Sequence, residues 1–129
     1  SNYSQYYKVL KEAEAYPGPS LIIAYAPCIA HGMKAGMGKT VEQEKNAVES
    51  GYWTLYRYNP LMEKEGKNPF TIDSKEPDFS KFQDFLMSET RYTTLKLSFP
   101  EAADELFKSA EENAKWRYNS YKRLTEMKF

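Results

Sequence analysis

One cysteine, Cys28, is the only thiol in the chain. A single thiol cannot build an internal disulfide framework, so a reducing cytoplasm is the expected setting. Excess charge is also missing: 18 Lys and Arg balance 18 Asp and Glu. This removes the electrostatic case for nucleic acid or an anionic membrane as partner, since both require a basic surplus. No apolar run approaches the ~20 residues of a membrane-spanning helix. The first residues are polar and tyrosine-rich, unlike the basic end and apolar stretch of a signal peptide. Ser1 and Asn2 carry no weight, since they are either native or a cloning remnant. Repeats, low-complexity tracts, paired carboxylates, a Ser-His-Asp arrangement and a redox Cys-x-x-Cys are all absent from the sequence.

What is present is a chain of 129 residues, enough for one domain or part of a larger one. A chain of this size removes well over half of its unfolded surface from water. Aromatic residues make up 16%, including 11 Tyr, and aromatic-rich packing with hydroxyls near the surface accounts for them.

Periodicity predicts a first helix over 1–16, with Tyr6, Val9, Leu10 and Ala13 on one face and Ser1 or Ser4 as cap. Pro17-Gly18-Pro19 breaks it. Residues 21–26 are continuously apolar and read as a short strand buried on both faces, as in a parallel sheet. A glycine-bearing loop over 27–39 follows. Thr40 is expected to cap a second helix running to about Ser50, with Glu42, Gln43 and Glu44 in its first turn and Gly51 as its stop. Strands are expected over 53–58 and 70–73, paired as a hairpin or at a sheet edge and joined by a charged surface loop over 61–68. Asp78 or Ser80 begins a helix carrying Phe79, Phe82, Phe85 and Leu86, and a short helix covers 91–98. Pro100 opens the last helix, which reaches about Met127 with Ala103, Leu106, Phe107, Ala110, Ala114, Tyr121 and Leu124 along one stripe. The order α-β-α-β-β-α-α-α implies an α/β layer. A two-sided strand with so few neighbours points to an incomplete domain occupying the whole of 1–129.

Three places have the residue types for chemistry. Gly36-Met37-Gly38-Lys39-Thr40 follows an expected strand and opens a helix, as a phosphate-cradling P-loop does. The spacing fails, because the first glycine of that motif falls at Met33 and Gly32 is one residue too early. A glycine loop entering a helix is the plainer reading. Cys28 follows the expected strand at its carboxyl end, where open α/β sheets bind ligands, and Pro27 stiffens the backbone just before it. A buried packing thiol is the alternative. His31 is too near in sequence to read as a typical catalytic partner. Zinc needs more ligands than one Cys and one His, and an iron–sulfur cluster needs about four thiolates, so Cys28 acts as a ligand only with partners elsewhere. The charge gradient of the last helix, from Glu101, Asp104 and Glu105 to Arg117, Lys122 and Arg123, suits the helix dipole. With Trp116, Tyr118 and Tyr121 it reads as ordinary packing and a solvated face, a subunit contact being the alternative.

The tract Gly18-Pro19-Ser20-Leu21-Ile22-Ile23-Ala24-Tyr25-Ala26-Pro27-Cys28-Ile29-Ala30-His31-Gly32 resembles the single-chain pyruvate:ferredoxin (or flavodoxin) oxidoreductases. So do Gly36-Met37-Gly38-Lys39, Gly51-Tyr52-Trp53 and Tyr56-Arg57-Tyr58-Asn59-Pro60. A looser resemblance continues through Pro69-Phe70, Asp73-Ser74, Arg91-Tyr92 and the final helix.

The resemblance implies the C-terminal portion of a thiamine-diphosphate-binding-type α/β domain. It implies a parent enzyme that oxidatively decarboxylates pyruvate, passes acetyl to coenzyme A, and sends electrons through iron–sulfur clusters to ferredoxin or flavodoxin. It further implies that Cys28, alone of these residues, is the fourth ligand of the four-iron, four-sulfur cluster nearest the thiamine; the nearness of His31 in sequence gives it an expected role in tuning that cluster. A homodimeric parent is expected. The family's Gly-Asp-Gly…Asn motif for thiamine diphosphate and magnesium is absent, as are the three partner cysteines. The isolated chain is therefore expected to hold neither cofactor and to catalyse nothing. A non-catalytic structural or dimerisation module is the main alternative, and a nucleotide-binding module the third.

Overall fold

The computed structural model describes residues 2–128. Helix α1 (Tyr3–Ala15) starts at Asn2, whose side-chain oxygen accepts from the Gln5 amide at 3.1 Å. The cap is therefore Asn2 and not Ser4, while Ser1 lies outside the described residues. The chain then runs through 16–36 without a helix or strand. A 3-10 turn (Met37–Lys39) leads into α2 (Thr40–Glu49). Strand β1 (Tyr56–Tyr58), a 3-10 helix (Pro60–Glu65) and β2 (Phe70–Ile72) come next. Helices α3 (Phe82–Ser88), α4 (Thr90–Ser98) and α5 (Pro100–Glu126) complete a mainly helical, mixed helix–strand fold.

The core lies where α2, α3 and α5 meet: Ala47, Phe82, Phe85, Leu86, Ala103, Phe107 and Ala114 are buried together. Tyr25, Tyr52, Trp53, Phe79, Tyr92 and Leu95 close around them. Phe82 and Leu86 recur four apart on the inner face of α3, and small residues at 47, 103 and 114 allow the helices to approach. Asp78 accepts from the Ser80 amide at 3.1 Å and so starts the 3-10 turn Phe79–Lys81 that feeds α3. Gly51 ends α2 at φ 79, and its missing side chain leaves room for the Phe79 ring.

Strands β1 and β2 pair antiparallel, with Tyr56 opposite Ile72, Arg57 opposite Thr71 and Tyr58 opposite Phe70. The expected hairpin is present, shortened to 56–58 and 70–72, and the stretch expected as a loop contains the 3-10 helix Pro60–Glu65. The Tyr56 and Phe70 rings stack on each other and meet Tyr121 of α5 at a tilt, 5.0 and 5.9 Å between ring centres.

Three expectations are overturned. Residues 21–26 form no strand: Leu21 and Ile23 are 84% and 61% exposed. A strand buried on both faces needs two sheet neighbours, and the strands among the described residues pair only with each other. The sheet among the described residues is an antiparallel pair in a mixed, mainly helical fold that is compatible with the expected α/β class. Thr40 does not cap α2 but is its first residue, and its hydroxyl donates to the Met37 carbonyl at 2.6 Å. The stripe of α5 is narrower than the periodicity suggests: Ala103, Phe107, Ala114 and Tyr118 are buried, while Leu106 is 52% exposed. Tyr118 instead faces Phe79 edge-on.

Candidate functional site around Cys28

Cys28 sits on the segment between Tyr25 and Met33. Its carbonyl accepts from the Gly32 amide at 2.9 Å, closing a turn in which Gly32 takes φ 73. That conformation suits glycine, since side-chain-bearing residues rarely adopt it. The turn brings Cys28 Sγ to 3.1 Å from His31 Nδ1. Cys28 is partly exposed, and hydrogen bonding to His31, helped by the His31 and Ala30 backbone, pulls its pKa down to about 7. A large thiolate fraction at neutral pH makes this an available soft donor. The turn is what brings the two side chains within hydrogen-bond distance.

Cys28 supplies one donor. Among the described residues, no group of three or more His, Cys, Asp or Glu side chains could hold a metal ion. One thiolate is fewer than the about four that an iron–sulfur cluster takes.

Both ends of the Cys28 segment meet the junction of α3 and α4. At one end, Met33 forms an antiparallel bridge with Glu89: the Lys34 amide donates to the Ser88 carbonyl at 3.1 Å and the Thr90 amide to the Gly32 carbonyl at 3.3 Å. At the other end, the Tyr25 hydroxyl donates to the Glu89 carboxylate. Glu89 is only 1% exposed. Its Oε1 also accepts from Gln43 of α2 at 3.3 Å, and its Oε2 lies 2.6 Å from Arg91 Nε. Arg91 in turn donates through Nη2 to the Tyr52 hydroxyl at 2.9 Å, and its guanidinium lies over the Tyr92 ring at 4.8 Å. Burial, then the bond to Glu89, pushes the Tyr25 hydroxyl well above the usual tyrosine range, and burial with the Tyr52 contact does the same for Tyr92. Tyr25 therefore remains a donor throughout the neutral range. Sequence reading missed this network. Glu89 has the look of an ordinary acidic residue at a helix start, and nothing local announces its burial.

The near-miss P-loop is not arranged as a cradle. The Gly36 and Lys39 amides are bonded within the loop, to the Met33 and Gly36 carbonyls at 3.0 and 3.1 Å. The Lys39 ammonium pairs with Glu42 at 3.1 Å on the open surface.

A second polar cluster joins α1 to the strands. Arg57 on β1 makes two bonds to Asp73, at 2.7 and 3.0 Å, and one to Glu12 of α1 at 2.5 Å. Between α1 and the body runs a wide groove of about 2020 Å³, with Val9, Leu21, Ile23 and Trp53 among its lining residues.

No family model matches the chain. It is 57% identical over 126 residues to the pyruvate:ferredoxin oxidoreductase of Moorella thermoacetica, a match covering 98% of this chain and 10% of that protein. It is 54% identical over 117 residues to the pyruvate-flavodoxin oxidoreductase of Klebsiella pneumoniae, covering 91% of this chain and 10% of that protein. It is also 45% identical over 125 residues to the mitochondrial pyruvate dehydrogenase (NADP(+)) of Euglena gracilis, covering 97% of this chain and 7% of that protein. The chain spans about a tenth of the length of the curated relatives it matches, which are named as oxidoreductases acting on pyruvate.

Proposed function

We propose that this chain is part of a longer polypeptide that converts pyruvate and coenzyme A to acetyl-CoA and CO2. Two electrons leave the substrate in that reaction and pass through iron–sulfur clusters to ferredoxin or flavodoxin. The observation that carries this reading is the 57% identity extending over 98% of the chain to a relative of that name. The reading includes a cytoplasmic homodimer as the working form.

Within it, the chain forms the C-terminal portion of a thiamine-diphosphate-binding α/β domain. Residues 21–26, apolar and exposed here, are then covered by the remainder of the polypeptide. The hydrophobic effect supplies the drive, since Leu21, Ile22 and Ile23 are 84%, 44% and 61% exposed.

Cys28 is the one residue of this chain proposed to hold a four-iron, four-sulfur cluster. When bound, thiamine diphosphate with magnesium supplies carbanion stabilisation and the cluster a one-electron relay. The part played by Cys28 is to present a thiolate at neutral pH, and that of His31 is to hold the thiolate form by hydrogen bonding. Pro27, buried against the body, keeps the backbone before the thiol from swinging. By itself the chain is inactive and keeps neither cofactor, because it brings a single thiolate for the cluster and no Gly-Asp-Gly…Asn motif for thiamine diphosphate and magnesium.

The test uses the full-length polypeptide purified without oxygen, with Cys28→Ala beside the unmutated protein. Loss of about four irons per chain with failed pyruvate-dependent ferredoxin reduction is the expected result. Unchanged iron, acid-labile sulfide and electron transfer make Cys28 a packing residue and sink the site assignment.

A further inference from the structure

Glu89 touches both ends of the segment that carries Cys28, and it does so by two different parts of itself. Its backbone pairs with Met33, flanked by the Lys34–Ser88 and Thr90–Gly32 bonds at 3.1 and 3.3 Å. Its carboxylate receives the Tyr25 hydroxyl. The segment 26–32 is therefore a loop whose two feet stand on one residue. The feet are themselves fixed. The Tyr25 ring packs edge-on against Tyr52 at 5.6 Å and lies 6.4 Å from Phe85, while Met33 is 8% exposed.

The carboxylate is held in turn by groups on other elements. Gln43 of α2 donates to Oε1 and also to the Ser88 hydroxyl at 2.7 Å. Arg91 of α4 supplies the opposite charge to Oε2. A carboxylate that is 1% exposed is costly unless fully partnered, and here its partners fall on the 25–33 segment, α2 and α4. Glu89 is not at the tip of the loop, and neither it nor Tyr25 is in hydrogen-bond contact with Cys28. The arrangement limits where the loop stands relative to the core.

The geometry points to Glu89, acting with Tyr25, as a positioning residue for the Cys28 loop: one buried carboxylate residue clasps the loop at both feet and so fixes where the thiolate is presented. That the thiolate serves a cluster rests on the reading given under Proposed function, whereas the clasp itself does not.

Two variants test it. Tyr25→Phe removes the hydroxyl and keeps the ring. Glu89→Gln keeps the shape of the carboxylate and removes its charge. Hydrogen–deuterium exchange, read by mass spectrometry on the intact polypeptide that carries these residues, compares peptides spanning 26–34 with peptides from α5. Loss of one hydrogen bond corresponds to about a five-fold rise in local opening, so exchange at 26–34 rises about five-fold in Tyr25→Phe while α5 is unchanged. In Glu89→Gln the rise is larger, because Arg91 loses its counter-charge. If that variant does not fold, Tyr25→Phe decides.

Equal changes at 26–34 and in α5, or none at either, overturn the clasp. In the cluster-loaded polypeptide the reduction potential of the cluster shifts in Tyr25→Phe at unchanged iron content. A constant potential with looser 26–34 reduces Glu89 to a staple of the fold and overturns the positioning role. Failure of the cluster reading is seen separately, as unchanged iron in Cys28→Ala.

Discussion

Arg57→Gln is expected to release α1 from the rest of the chain. No residue of α1 is buried, so the helix depends heavily on its polar attachment. Arg57 grips Asp73 with two bonds and Glu12 with one, and Asn59 adds a bond to Glu12 at 3.1 Å. The Arg57, Glu12 and Asp73 side chains are 14%, 27% and 11% exposed. An exposed pair contributes under about 1 kcal/mol, and breaking a fully buried one costs about 3–5 kcal/mol. A cluster between these limits contributes about 2 kcal/mol, equivalent to about a 30-fold change in the docking equilibrium. Removing the cation also leaves two carboxylates facing each other. The assay is amide exchange over 6–15, which rises about 30-fold in the variant while α5 keeps its protection.

A pH arm sharpens the test. Burial pushes the Asp73 carboxyl upward, but hydrogen bonds from Arg57 and Gln5 outweigh it and hold the pKa below its ordinary 3.8. The folded value is the lower one, so this stabilisation is complete above the unfolded value and is lost as pH falls through the folded one. Arg57 is shifted the other way, chiefly by its bond to Asp73. Its contribution is complete below the unfolded arginine value, and so is constant across acid and neutral pH. Acid release of α1 below about pH 4 is expected in the unmutated protein and a flatter profile in Arg57→Gln. Unchanged exchange over 6–15 in the variant refutes the reasoning and assigns α1 to its contacts along the groove.

Three further outcomes follow from the geometry. In Gly51→Ala the new Cβ meets the Phe79 ring at 2.5 Å from a φ of 79, and urea unfolding is expected to register a loss of about 1–3 kcal/mol. A loss below a few tenths shows that Phe79 moves aside freely. Phe82→Ala empties a site that is 2% exposed and is expected to cost about 3–5 kcal/mol in the same assay. His31→Ala removes the main cause of the low Cys28 pKa, now about 7. The pH midpoint of iodoacetamide alkylation is expected to climb toward the ordinary thiol value of about 8.5, and an unmoved midpoint assigns the shift to the backbone of the turn.

The parts legible in the sequence are those whose causes are local. Phe82, Phe85 and Leu86 recur on one helical face, Asp78 caps the turn before them, and Gly51 ends α2 where a left-handed residue is required. The hairpin was legible because β1 and β2 find their partners in each other. Residues 21–26 were not, since an apolar run announces burial but not where the covering surface is. Thr40 was misplaced because its hydroxyl had a competing carbonyl at Met37. At the site, Cys28 stood out as the lone thiol, but Glu89 did not. Its burial requires Tyr25, Gln43 and Arg91 to converge from separate stretches of chain, and no spacing rule encodes that.

The uncovered run at Leu21, Ile22 and Ile23 also bears on how the chain behaves in a test tube. Its formal charge is zero and its isoelectric point about 6.6, so near neutral pH the molecules barely repel one another. Sticky backbone beside exposed branched side chains is then an invitation to pile up strand on strand. Colloidal stability of the separate chain should improve away from pH 6.6, in a way unrelated to how tightly its core is folded.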